Sequence, residues 1–289
     1  MIFNANYFIA LVFCILPMGL LVMFVDRQIK ARRKAGCLPF HELPRRPAGE
    51  TLRLKLDEMD IDFTGNLVLI FIIPSFGGMA WLSQPFHGLT ATLIFMGVVA
   101  VSTGYCGWKI LKLLRTKADY QLGYEGERFV GEELSRLISL GFEVYHDVPF
   151  DGFNMDHVLV GPRGVFIVET KTRRKPRNET GNKQYKVQFD GQRLLWPKGH
   201  DTHGIEQSRR NAKTLAEWLG SASGESISVV PILTLPGWMV ERMAPGNGLH
   251  VVNPKEIRQV CAAYPERLSE PQTRRLLHQM NQKCRMTLD

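Results

Sequence analysis

Between Met155 and Lys171 the chain reads MDHVLVGPRGVFIVETK, two runs rich in Val, Ile, Leu and Phe on either side of a Gly-Pro-Arg-Gly turn. Asp156 stands at the far end of one run, and Glu169 with Lys171 at the far end of the other. If Pro162 and Arg163 are the two turn residues, Gly161 pairs with Gly164 and Asp156 falls directly across from Glu169. Side chains alternate along a strand, so Lys171 shares the face of Glu169. A type I turn with a Gly bulge is the other reading of Pro-Arg-Gly; it slips the pairing by one and separates the carboxylates. In the first register, two carboxylates about 5 Å apart at an effective dielectric of about 20 repel by roughly 3 kcal/mol. That is a large part of a typical net stability of about 5 to 15 kcal/mol, so a positive charge is required between them. Lys171 can supply it, as a structural ion cluster. Alternatively, two hard carboxylate oxygens with the main-chain carbonyl of Thr170 suit Mg²⁺ or Mn²⁺ rather than zinc. Lys171 is then free to orient or deprotonate water, or to stabilise charge developing on a phosphorane.

The elements around the hairpin read as an α/β unit. Gly123 to Leu140 has a helical apolar stripe of Val130, Leu134, Leu137 and Ile138, and at about 100° per residue Glu127 falls within roughly 40° of its centre. A strand at Phe142 to His146 precedes the hairpin. After it come a polar hairpin at Tyr185 to Phe189 and Arg193 to Trp196, with Asp190-Gly191 in its turn, and a helix at Gly204 to Leu219. A buried strand at Ile227 to Leu235 and a short one at Leu249 to Val252 follow. Asn253-Pro254 opens a further helix as N-cap and N1, and Pro271 to Cys284 reads as a basic helix.

The order of these features resembles the nuclease-related domain (NERD), a branch of the PD-(D/E)xK phosphodiesterase superfamily. The resemblance covers about Gly123 to Gly220: Gly126-Glu127 in the first helix, the whole run from Met155 to Lys171, and Gln207 with Asn211 opening the second helix. It implies a restriction-endonuclease-like mixed sheet flanked by helices. It also implies a metal-dependent nuclease with Asp156 and Glu169 as metal ligands, Lys171 as the catalytic cation, and Glu127 and Gln207 in support. Met155 stands where the superfamily pattern has Pro, and Gly204-Ile205-Glu206 where the family often has an Asn-Pro start. A catalytically silent nucleic-acid-binding or scaffold domain is the alternative. Just past the motif, Lys171 to Arg177 carries five cations in seven residues. Arg173, Arg174, Lys175 and Arg177 there form either a solvated face or a seat for a phosphate backbone.

The first part of the chain is of another kind. Ile2 to Val25 and Leu89 to Trp108 are uncharged and long enough, at about 1.5 Å per residue, to cross a hydrocarbon core of about 30 Å. Leu67 to Leu82 is shorter and carries Pro74, Gly77 and Gly78, so it spans with help from Ser83 to Phe86 or by thinning the bilayer. Arg27, Lys30, Arg32, Arg33 and Lys34 follow the first run, and Lys109, Lys112, Arg115 and Lys117 the last, which places both basic flanks and the C-terminal domain in the cytoplasm. The charge order is the reverse of a signal peptide, so no cleavage is expected. The expected organisation is a transmembrane helix at 1–25, a charged cytoplasmic linker at 26–65 and a two-helix membrane hairpin at 66–108. The nuclease-related domain at 119–235 and a C-terminal extension at 236–289 complete it.

Of the net charge of +8, the chain from Gln121 onward holds only +3, from 23 Lys and Arg against 20 Asp and Glu. Much of the basicity thus belongs to the membrane flanks and says little about nucleic acid. The five cysteines show no CxxC and no His at metal spacing, so free thiols and neither a disulfide framework nor a zinc site are expected. No small-molecule cofactor is indicated.

Overall fold

The computed structural model describes residues 45–82, 88–176 and 185–284, together with Met23, Phe24 and Arg27. The first expected span lies almost entirely outside the described residues. The chain divides into two units, Met1–Leu43 with Thr64–Ile110, and Pro44–Phe63 with Leu111–Asp289.

Two long helices run through both units, α1 (Glu50–Leu82) and α2 (Leu89–Ser135). Each is long and apolar enough to cross a membrane, and only 6% of each apolar window is buried. A core helix of a water-soluble fold would hide that surface; here Phe71, Leu89 and Val101 are each more than 70% exposed. Pro74 does not end α1. Gly77 lets α1 approach α2 closely, since a Cβ there would come within 2.6 Å of Phe95, and Trp81 stacks on the same ring. The stretch read as a charged linker contains the first turns of α1. Likewise the apolar run ending at Trp108 and the helix read from Gly123 are one element of 47 residues. Residues 109–122 contain neither Gly nor Pro, and strong helix formers such as Leu, Lys and Arg give the chain no reason to stop.

The second unit is a mixed α/β structure with two mixed sheets. After a 3₁₀ turn at Arg136–Leu140 come β1 (Glu143–Phe150), β2 (Phe153–Gly161) and β3 (Gly164–Thr170). Then follow β4 (Lys186–Phe189), β5 (Leu194–Leu195), β6 (His200–Asp201) and α3 (His203–Ser223). β7 (Val229–Thr234), β8 (Met239–Arg242), β9 (His250–Val252), α4 (Ile257–Ala263) and α5 (Glu270–Lys283) complete the chain. The main sheet has the order β1-β2-β3-β7-β9, and the second β6-β5-β4-β8. β1 to β3 are antiparallel, while β7 and β9 add in parallel beyond β3. The mixed α/β class is the one the sequence implies. The expected hairpin across Asp190-Gly191 is present, with Phe189 opposite Leu194. Strand β8 was not expected from sequence; it runs parallel to β4 and covers its free edge.

The main sheet is covered on both faces. Val158, Val160, Val165 and Ile167 pack with Ala212, Leu215 and Leu219 of α3 and with Leu276 and Met280 of α5. Leu159, Phe166 and Val168 face the other way, onto Val130 and Leu134 of α2 and Ile257 and Cys261 of α4. β2 and β3 are therefore apolar on both sides, as buried strands are.

Candidate active site

The hairpin takes the register of a two-residue turn. Gly161 pairs with Gly164, Val158 with Ile167 and His157 with Val168. The next step along this ladder brings Asp156 level with Glu169. There the strands begin to part, and Oδ2 of Asp156 accepts a hydrogen bond from the Thr170 N–H at 2.7 Å. Glu169 is 3% exposed and lies on the α3 face, where its Oε2 accepts from Nδ2 of Asn211 at 3.1 Å. Two residues on, Lys171 is half-buried, and its N–H donates to the Thr234 carbonyl at 3.0 Å.

Glu127 approaches from α2. Gly126 makes this possible: a Cβ there would lie 1.9 Å from Cγ2 of Thr172. The helix therefore rests directly on the chain leaving β3, and the adjacent Glu127 is delivered to the acids. Gly126→Ala is expected to destabilise the fold by about 1–3 kcal/mol through overpacking. Thr172→Ala in the same chain should recover most of the loss, because it removes the clashing methyl. Thermal unfolding of the two single variants and the double variant measures this coupling.

Three acids are concentrated here around one cation, Lys171. Burial, and then the charge of Asp156, hold Glu169 well above the ordinary carboxylate range, while Lys171 and Asn211 pull it back. Asp156 is pushed up to about 7 by burial, against the Thr170 N–H and Lys171. Glu127 is pushed up to about 9 by burial, with Asp156 and Asp147 adding to it. Among the described residues, Oδ1 of Asp156, Oε1 of Glu169 and both carboxyl oxygens of Glu127 accept no hydrogen bond from the protein, and each remains open to solvent. Solvent-facing carboxylate oxygens free of protein donors are available to a bound cation. No group of three His, Cys, Asp or Glu side chains among the described residues encloses an ion by itself. Two carboxylates and a backbone carbonyl nonetheless fit the way Mg²⁺ is held, by one or two acids with waters filling the rest of an octahedron.

The other residues singled out by sequence are placed as follows. Gln207 is half-buried on α3, one turn before Asn211, and makes no polar contact among the described residues. Arg173 lies over the Trp196 ring at 4.9 Å and donates to the Lys198 carbonyl, and Arg174 donates to the Ala118 carbonyl and pairs with Asp119 at 3.3 Å. Lys175 is exposed and lines a cleft of about 550 Å³ with Phe129, Trp238, Met239 and Lys255. Arg177 lies outside the described residues.

Sequence reasoning did not place three features. Asn211 was noted beside Gln207, yet it is the residue that touches Glu169. His157 is fully buried, and its Nδ1 lies 2.8 Å from Nδ1 of His146. Burial holds both imidazoles below their usual range, His157 well below. Asp147 is the third. The Asp151-Gly152 dipeptide is a hairpin turn signal that pairs Phe150 with Phe153, and counting back from it sets Asp147 opposite Asp156.

The domain is thus α/β, with two acids and a lysine at the parting of a hairpin and a third acid delivered by a helix. Residues 122–236 match the family model of the nuclease-related domain. No curated protein and no solved structure matches the chain.

Proposed function

We propose that the chain is a membrane-anchored nuclease that uses Mg²⁺ or Mn²⁺ to hydrolyse phosphodiester bonds of DNA or RNA in the cytoplasm. The observation that carries this reading is the placing of Asp156 level with Glu169, each with one carboxyl oxygen free of any donor among the described residues, beside Lys171 and Glu127. Asp156, Glu169 and the Thr170 carbonyl would hold the ion. Such an ion lowers the pKa of bound water and polarises the phosphoryl oxygens. Lys171 stabilises the negative charge that builds on the phosphorus-bound oxygens as water adds and the P–O bond breaks. Glu127 carries its proton at neutral pH and can donate it in a hydrogen bond to a phosphate oxygen or to water. Asn211 orients Glu169, and Gln207, four residues earlier on α3, is placed to support the same end of the helix. Lys175 and the cleft beside it would receive the polynucleotide backbone. The apolar lengths of α1 and α2, and the basic residues that follow Trp108, support integral membrane attachment with this domain in the cytoplasm.

The test is an assay of the full chain, purified in detergent, on single- and double-stranded DNA and RNA. Cleavage is expected with Mg²⁺ or Mn²⁺, none with EDTA, and none from Lys171→Ala. Cleavage that survives both Lys171→Ala and Asp156→Ala would belong to a contaminant and refute the assignment. Binding without cleavage would instead establish a silent nucleic-acid-binding domain.

A further inference from the structure

We propose that Asp147 is a positioning residue that ties the start of α1 to the strand edge carrying Asp156. Every other position of the β1–β2 ladder from Glu143 to Phe150 is paired; position 147, facing Asp156, is the gap. Asp147 adopts φ 48° there, a left-handed conformation uncommon outside Gly and tolerated best by Asn and Asp. The alternation of faces breaks at the same place. Tyr145 and Val148 of β1 join one core cluster, as do Val158 and Met155 of β2, although each pair is separated by an odd number of residues. The break turns the strands at Asp156.

The Asp147 side chain, 3% exposed, is fully engaged. Its Oδ2 accepts from the Thr51 N–H at 3.1 Å, the Thr51 hydroxyl at 2.8 Å and Arg46 at 3.3 Å, and its Oδ1 accepts from Asn154 at 3.1 Å. Four donors leave it little capacity to bind a metal, so its role is mechanical. Three of the four come from residues 46–51, where the first turn of α1 also favours a negative charge. Asn154, which donates to Thr51 as well, lies two residues before Asp156. The same α1 continues to Leu82 through its apolar stretch. A shift of α1 therefore bears on the placement of Asp156, and Asp156 matters to chemistry only through the function proposed above.

Hydrogen exchange followed by mass spectrometry tests this on the full chain in detergent, because a fragment beginning at Asp119 would lack Arg46 and Thr51. Asp147→Asn should speed exchange about tenfold or more both in the peptide spanning Thr51 to Leu54 and in the one carrying Thr170, whose N–H is held by Asp156. Asp147→Gly accepts the backbone angle without the carboxylate and should do the same. Thr51→Val should show a smaller loss at both places, and Thr51→Ser, which keeps the hydroxyl, should match the wild type. Faster exchange confined to α1, with the Thr170 peptide unchanged, would reduce Asp147 to a helix cap and overturn the proposal. So would a Thr170 peptide that Asp147→Gly leaves protected. A wild-type chain that ignores Mg²⁺ would count against the nuclease reading and leave the exchange result standing.

Discussion

Glu169→Gln is expected to stabilise the metal-free protein while removing the Mg²⁺ response and about a thousandfold of the nuclease activity proposed above. Glu169 sits 3% exposed beside Asp156 with only Asn211 as a hydrogen-bond partner among the described residues. Glutamine has the same shape, can still accept from Asn211, and never carries the charge that burial and Asp156 disfavour. At pH 8 an unfolded glutamate is ionised, while the folded one retains its proton or bears an unfavourable charge. Removing that mismatch is expected to raise the melting temperature of the metal-free protein at pH 8. Under the function proposed above, the loss of activity follows from losing a metal ligand, whose stabilisation of the transition state is worth several kcal/mol, with about 1.4 kcal/mol for each tenfold in rate. Thermal unfolding at pH 8 with and without Mg²⁺ checks the first part, and single-turnover cleavage the second. A melting temperature that falls in the metal-free protein, as an ordinary buried substitution would produce, would contradict the account of the site.

The second large effect is on pH dependence. Asp156 at about 7 and Glu127 at about 9 have pKa values raised above those of an unfolded chain, and Glu169 is raised well above. Between about pH 4.5 and these folded values the folded state binds protons that the unfolded chain has released. Metal-free stability therefore falls as pH rises through that window. The buried His146 and His157 act in the opposite sense, since their pKa values are lowered. The unfolded chain takes up protons at these two below about pH 6.5, which destabilises the fold there, and above that pH they contribute nothing. The acid effect is thus seen alone between about pH 6.5 and 8.5. Over that range the melting temperature in EDTA is expected to drop, and the increment gained with saturating Mg²⁺ to grow, because the ion takes the place of the protons. A Mg²⁺ increment that is flat with pH would mean that these carboxylates are not the ligands.

Much of the site was legible because it lies in one hairpin. Gly161-Pro162-Arg163-Gly164 admits few turns, and once the two-residue turn is taken, parity alone sets Asp156 against Glu169 and Lys171 on the same side. The inward direction of Glu127, the hairpin about Asp190-Gly191 and the extents of α3, β7 and β9 followed from local periodicity in the same way. Three matters did not. The joining of the apolar run to the Glu127 helix depends on the absence of a stop signal over residues 109–122, which is weaker evidence than a stop itself. The neighbours of Arg173 and Arg174 come from segments far along the chain, and those guanidinium groups are held by Lys198, Trp196, Ala118 and Asp119.

The burden carried by Asp147 was the least visible, because its donors Arg46 and Thr51 precede the apolar stretches of both long helices in the sequence. The sequence alone determined which side chains share a face over a few residues, since alternation and turn length are local properties. Only the tertiary structure decided what each acid touches, since hydrogen bonds across about a hundred residues depend on how the strands and helices pack and leave no periodic trace in the chain.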